Sequence, residues 1–519
     1  MLHFVLAIGI AVCVVILLLR LHRGHNLKYP YPPGPRGDPL LGNVREMETE
    51  YSWLYYKRLT EKYGDVIHLC ALGQHMIILN SHKAIHDVLT KNSLLFVNRP
   101  RLPMAGELLG WENGLVFSSG HRFNAMRKFA NHYLGKAAVR KQFLPIIENA
   151  VHGLLKKSWE SPEEFTKIVK SAILKIVLST LYGIDADSSA DDYLTLISDA
   201  AVIFGRATQP GAFLVDTFPI LKYVPSWFPF AGFKRQAKTW AKVVRNSVEL
   251  PFQKVECDLA AGIDNHSFSA TILQKSEGNV DRNILKWLSG SLLAGSTDIT
   301  SATVCTFLLA MVLRPEVQRK AQREIDSIIG TDRLPTLSDR ERLPYVEAVF
   351  KETLRWQPIV PLAVPYLSGA DFVCKGYLIP KVSYWGIFIT QVSRLTSRDD
   401  TIYPNPEEFI PERFLGDLCP DAYTAHMSAA LDPMTFAFGY GRRLCPGFHF
   451  SDVLVWLTIV SIFATTNIER LKDVNGHDII PEAKYTGGMA REPLPFPYTL
   501  KPRSTTAQIL VAGISDLLP

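Results

Sequence analysis

Residues 285–313 form a stretch that is apolar on most of its sides, and it limits what the chain can become. A helix that is hydrophobic all round must be buried, inside a large core or inside a membrane. Arg314-Pro315 ends the stretch, because proline forbids simple continuation. At 519 residues the chain can build a core around such a helix without disulfides or oligomerisation. With 47% apolar and 20% charged residues it is an ordinary globular chain, not a disordered, collagenous or coiled-coil one. A second helix opens at Pro344, a favourable first-turn residue, and runs to about Gln357. Strand-like runs are short and few, at 66–72, 76–79, 372–379 and 383–390. From Trp53 onward there is no repeat, low-complexity stretch or second linker. The expected fold is mainly α with a small β region, in one domain spanning 44–519.

The amino terminus reads differently. Residues 4–19 are sixteen apolar or small residues without a charge. As a helix they reach about 24 Å, close to a ~30 Å hydrocarbon core. Arg20, Arg23 and Lys28 follow the run and no basic residue precedes it. That asymmetry argues for an uncleaved anchor over 1–24, with the rest of the chain in the cytosol. Residues 25–43 hold the proline-dense string Tyr29-Pro-Tyr-Pro-Pro-Gly-Pro, which makes a stiff strap. It reads as a spacer from the bilayer or as a plain linker.

Net charge is +6 over the whole length, too weak to argue for nucleic acid. The seven cysteines are odd in number and contain no CxxC, so neither a disulfide framework nor a zinc ribbon is expected. One cysteine differs from the rest. Cys445 lies among Gly439, Gly441 and Gly447, which permit tight turns and close approach to a flat ligand. Pro446 suits a first helical turn, and an apolar run follows to about Phe463. Cys445 then sits at a helix amino terminus, where the macrodipole favours a thiolate. Arg442 and Arg443 add positive potential, and either can pair with a ligand carboxylate.

The string Phe438-x-x-Gly441-x-Arg443-x-Cys445-x-Gly447 resembles the haem-binding loop of the cytochrome P450 family. Glu352-Thr-Leu-Arg355 resembles that family's E-x-x-R pair, and Pro411-Glu-Arg413-Phe resembles its P-E-R-F segment. The resemblance covers essentially the whole chain and is strongest to fungal, mushroom-type members of secondary metabolism. It implies the P450 fold behind an N-terminal transmembrane helix in the endoplasmic reticulum. It implies haem b with Cys445 as the axial ligand, and Glu352, Arg355 and Arg413 as a structural network. Arg127 and Arg443 are the implied propionate partners, and Phe438, Gly441, Gly447 and Tyr366 complete the cofactor set. Phe123 stands where the family usually has a tryptophan, and Tyr366 follows a turn where it often has His or Arg. The implied activity is monooxygenation of a lipophilic small molecule, a secondary metabolite or xenobiotic. Electrons would come from an NADPH-cytochrome P450 reductase. Six basic residues and no acidic one lie between Arg122 and Lys141. They read as a solvated helix face or as the docking patch for that acidic partner.

The long helix departs from the family pattern A/G-G-x-D/E-T-T/S. Aligned on its downstream half, Asp298 takes the acid place and Ile299 the alcohol place. Isoleucine has no proton to give. Ser296 and Thr303 lie three before and four after it, on the same helical face, and Thr300 points elsewhere. Asp298, Ser296, Thr300 and Thr303 are therefore the proton-delivery set. The missing alcohol keeps a second reading open, a peroxide isomerase or dehydratase without a reductase. A haem carrier or sensor is the third. Substrate contacts are expected from 101–117 and 201–233, whose aromatic residues line a pocket, dip into the bilayer or simply pack. Asn265-His-Ser267 is a glycosylation sequon that a cytosolic domain would leave unused.

Overall fold

The computed structural model describes residues 29–513, apart from 49, 185–189, 230, 264, 276–279, 382–386 and 416–431. The expected anchor at 1–24, the start of the strap and Phe230 lie outside the described residues.

Helices carry the fold. In chain order the main ones are α1 (Ser52–Tyr63), α2 (Gly120–Tyr133), α3 (Leu144–Glu160), α4 (Phe165–Tyr182), α5 (Ala190–Ala207), α6 (Gly232–Ala260) and α7 (Phe268–Lys275). They continue with α8 (Arg282–Leu313), α9 (Pro315–Ile328), α10 (Pro344–Trp356), α11 (Phe448–Thr465) and α12 (Thr505–Ala512). The all-round apolar stretch is α8, which packs on α4, α6 and α11. Asp281 caps it, its carboxylate accepting the backbone N–H groups of Asn283 and Ile284 at 2.8 and 3.2 Å. Pro315 then restarts the chain as the first residue of α9. Phe307 of α8 meets Phe463 of α11 edge to face at 5.1 Å. Both helices are long and apolar enough to cross a membrane, yet each is mostly buried within the protein, so they are core helices. α10 runs as expected from Pro344 and stops one residue before Gln357. α11 starts at Phe448 with Gly447 as its cap, so Pro446 lies just ahead of the helix instead of in its first turn.

The sheet is small. β1 (Val66–Ala71) and β2 (Gln74–Leu79) form an antiparallel hairpin in register Val66↔Leu79. β2 pairs in parallel with β5 (Ile387–Gln391) through Ile77↔Ile389. The expected strand at 372–379 is two strands, β3 (Phe372–Cys374) and β4 (Tyr377–Ile379), turned back on each other. β6 (Thr466–Glu469) and β7 (Thr499–Pro502) pair near the carboxyl terminus. They were not expected, because four residues give too little periodicity to read. The strap is laid along the first hairpin: Tyr31 stacks on His68 at 4.6 Å and on His75 at 5.1 Å. Asn43 fixes its far end, its side chain accepting the Cys70 N–H at 2.9 Å.

Asn265 is buried, with its amide donating to the Tyr182 carbonyl at 2.9 Å and accepting from the Ser267 N–H at 3.0 Å. A side chain so engaged presents no amide for glycosylation.

Candidate active site

Three backbone strips converge on one place. Residues 97–99 bridge to 364–367, since Leu367 N–H donates to the Asn98 carbonyl at 2.9 Å. Tyr366 is in turn bridged to Ile389 of β5 by two hydrogen bonds, of 2.8 and 2.9 Å. The third strip is the cysteine loop. Its turn closes where the Cys445 N–H donates to the Phe438 carbonyl at 2.8 Å, and the Phe438 ring rests on Phe448 at 4.8 Å. Gly441 has φ +60°, and a Cβ there would sit 2.8 Å from Ser93 Cβ and 2.9 Å from the Leu89 carbonyl oxygen. Backbone conformation and space both require glycine at that position.

Burial pushes the Cys445 thiol above its ordinary value; the Gly447 N–H and Arg127 pull the other way without offsetting it. Desolvation thus outweighs the stabilisation expected from sequence.

Around the loop stand three arginines. Arg443 donates from Nε to the Val97 carbonyl at 2.6 Å, from Nη1 to Leu115 at 3.0 Å and from Nη2 to Ser118 at 2.6 Å. Its guanidinium lies 3.7 Å above the Phe123 ring, so the residue in the family's tryptophan place supplies a cation–π face. Arg127 donates to the Leu444 carbonyl at 2.7 Å. The third, Arg99, was missed in the sequence. It donates to the Val364 and Pro365 carbonyls at 2.5 and 3.0 Å and lies 4.2 Å over the Tyr366 ring. Tyr366 thus presents its ring face to Arg99. The Arg99 Nε is shielded from solvent and has no hydrogen-bond partner. Desolvation holds all three below their ordinary values, Arg443 at about 9, where Arg99 and Arg127 add repulsion. Each guanidinium has five N–H donors. Several remain unused, and among the described residues no carboxylate pairs with any of the three. The donor set suits a flat ligand bearing two carboxylates, which is what the propionates of a haem supply. No sequence motif flagged Arg99; its only signal was a lone basic residue between Asn98 and Pro100.

Glu352, Arg355 and Arg413 are brought together in one cluster. Glu352 and Arg355 are fully buried and joined by two bonds of 2.6 and 2.8 Å. Arg355 also donates to the carbonyls of Ser397, Pro406 and Glu408, at 2.8, 2.9 and 2.9 Å. Arg413 reaches Glu352 at 3.2 Å, and Glu352 also accepts the Ile410 N–H at 2.7 Å.

On α8, which is continuously buried from Thr300 to Val312, Gly295 and Ile299 are open, Ile299 by 38%. A Cβ at Gly295 would meet nothing within 4 Å. The two residues share a face and form an open strip on the helix. The proton-delivery set divides around it. The Ser296 hydroxyl donates to the Leu293 carbonyl at 2.9 Å, and that of Thr303 to the Ile299 carbonyl at 2.9 Å. Thr300 and Thr303 are buried, so neither lies on the open strip. Asp298 points toward α4, 3.7 Å from Lys170, which is held by Glu492 at 2.8 Å. Burial opposes the Lys170 charge, but the two carboxylates outweigh it and keep its pKa above the ordinary value.

A cysteine in a glycine-framed turn, beside arginines that have no carboxylate partner among the described residues, suits a haem–thiolate type of site. The comparisons agree with the geometry. The family model described as Cytochrome P450 matches residues 32–497. Cytochrome P450 monooxygenase 208 of Postia placenta is 37% identical over 517 residues, covering 99% of both chains. Cytochrome P450 monooxygenase claR of Ampulloclitocybe clavipes is 38% identical over 487 residues, 93% of this chain and 89% of that one. Cytochrome P450 monooxygenase COX2 of Coprinopsis cinerea is 36% identical over 518 residues, 98% of this chain and 96% of that one. The chain belongs to the cytochrome P450 family, whose enzymes are oxidoreductases carrying a haem on a cysteine thiolate.

Proposed function

We propose that the protein is a haem–thiolate monooxygenase that inserts one oxygen atom from O2 into a lipophilic small molecule, with electrons from an NADPH reductase. The observation that carries this reading is the pairing of the Cys445 turn with three arginines that have no carboxylate of their own. Cys445 would hold the iron, Arg99, Arg127 and Arg443 the propionates. The bound haem supplies the oxygen chemistry, and the thiolate's electron push favours O–O cleavage. Around it, Ile299 and Gly295 keep the open strip apolar. Ser296 retains acceptor capacity for a water after donating to its own helix. Asp298, with Lys170 and Glu492 behind it, connects that helix to titratable groups.

Lys136 and Arg140 line a hollow of about 140 Å³ together with Phe448 and His449, at the start of the helix that follows Cys445. Lys128 and Lys141 are exposed on the same segment, which suits an acidic reductase, while Arg122 and Arg127 turn inward. Membrane association is supported by an exposed apolar set, Leu214, Phe218, Ile220, Tyr223 and Trp227. That segment adjoins the hairpin turn, where Gln74 donates to the Asp216 carbonyl at 3.4 Å, and Leu40 of the strap is also exposed. The motif resemblance to fungal members of the family underlies the further reading of a role in secondary metabolism at the endoplasmic reticulum membrane.

Ile299 favours a second reading, a peroxide isomerase or dehydratase that works without a reductase. The deciding assay compares turnover with NADPH and reductase against turnover with an organic hydroperoxide alone. Turnover confined to the hydroperoxide overturns the monooxygenase reading. A reduced, CO-bound spectrum lost in Cys445→Ala tests the ligand.

A further inference from the structure

Beside the Glu352 network stands a second cluster of buried cations whose charges do not balance. Arg394 and Arg398 lie in the turn after β5, and Arg491 in the stretch before β7. Arg398 and Arg491 are 8% and 5% exposed. Backbone hydrogen bonds bring both stretches against 357–361, the strip that leaves α10. The Arg491 N–H donates to the Ile359 carbonyl at 2.8 Å, and the Arg394 N–H to the Pro361 carbonyl at 3.4 Å. At the start of that strip the buried Gln357 serves two cations at once. Its Oε1 accepts from Arg394 Nη1 at 2.5 Å and from Arg491 Nη1 at 3.3 Å. The Arg491 guanidinium is also stacked between two rings, 4.7 Å from Trp53 and 4.7 Å from Tyr485. Arg398 donates to the Trp356 carbonyl at 2.7 Å.

Negative charge is scarce here. Glu352 is already shared by Arg355 and Arg413. Glu407 reaches Arg398 from the surface, with its side chain 71% exposed. Among the described residues no carboxylate pairs with Arg394 or Arg491. The Nε atoms of Arg398 and Arg491 are shielded from solvent and have no hydrogen-bond partner. Burial holds all three guanidinium groups below their ordinary values, Arg394 and Arg491 at about 10, and repulsion from Arg355 or Arg394 adds to it. A buried charge is normally paired, and a neutral amide oxygen supplies no charge.

We propose that Arg394, Arg398 and Arg491 hold a small inorganic anion of the chloride class, which serves as the counter-ion of this cluster. A single charge suits a site closed to solvent, because a doubly charged anion costs more to dehydrate. The anion ties the stretch at 491 and the turn at 394–398 to the end of α10. Its role is structural and independent of the reaction proposed above.

The experiment uses the haem-loaded, full-length protein at constant ionic strength, with chloride progressively replacing gluconate, an anion too large for a closed site. The urea midpoint is expected to rise with chloride. Once chloride reaches a hundred times its dissociation constant, the folding equilibrium should have shifted about a hundredfold toward the native state. Gln357→Glu places a carboxylate where Arg394 and Arg491 already donate. That variant is expected to be at least as stable as the wild type in gluconate and to lose the response to chloride. A loss of packing alone would not produce that pair of results. Arg491→Met is expected to lose the response as well, whereas Arg319→Gln, at an exposed position on α9, should keep it. A wild-type midpoint that ignores chloride overturns the proposal. So does an undiminished response in Arg491→Met or in Gln357→Glu, and the first of these decides the matter if Gln357→Glu fails to fold.

Discussion

Ile299 stands on the open strip of α8 while every nearby hydroxyl is engaged or buried. A positioned proton donor typically contributes about 10²–10⁴ in rate, so its absence should show as uncoupling. Ile299→Thr is expected to raise product formed per NADPH several-fold and to lower hydrogen peroxide release, both measured in the reconstituted reaction. Arg99 offers the complementary residue-scale prediction. Removing one partner of a buried charge pair costs roughly 2–5 kcal/mol. Arg99→Leu should therefore shed haem, read as a lower haem-to-protein ratio after gel filtration. The ratio should be largely kept in Arg442→Leu, whose side chain lies on the exposed side of the loop. Arg443 and Cys445 are legible from one motif because a tight turn fixes neighbours within the chain. Arg99 was invisible because its partners, Val364 and Tyr366, are more than 260 residues away.

At the scale of elements, α10 and the loop after it are locked by Glu352. Breaking a buried ion pair from one side typically costs about 3–5 kcal/mol, since the remaining charge loses its partner. Glu352→Gln should lower the urea midpoint by a corresponding amount and release haem before global unfolding. The first hairpin carries a pH dependence. Burial, with a smaller contribution from His75, holds His68 down at about 3 against an ordinary 6.5. The unfolded chain binds a proton there that the folded chain refuses. Stability from this group is therefore complete above about pH 6.5 and is lost progressively as pH falls toward 3. His68→Gln should flatten that decline, as measured by urea melts at about pH 7 and about pH 5. The E-x-x-R spacing alone would describe a surface pair; packing made it a fully buried one.

Across the whole molecule, the strap, the hairpin turn and the apolar residues at 214–227 gather at one side. Ile220 and Trp227 are 70% and 78% exposed. Each large side chain moved from water into an apolar phase contributes roughly 1.5–3 kcal/mol. Ile220→Ser with Trp227→Ser is expected to weaken flotation with phosphatidylcholine vesicles by one to two orders of magnitude in a chain lacking residues 1–28, leaving the CO-bound spectrum unchanged.

What the sequence determined by itself was local: the long apolar helix and its proline stop, the short strands of the first hairpin, the glycine turn around Cys445, and the missing alcohol at Ile299. Each depends on a period or a turn that a few consecutive residues impose. Only the tertiary structure decided which charges meet. It brought Arg99 to the cysteine loop, turned Asp298 toward Lys170, stacked Tyr31 on two histidines, and set Glu107 against Lys222. Electrostatic partners are chosen by distance through space, and no periodicity along a chain encodes that.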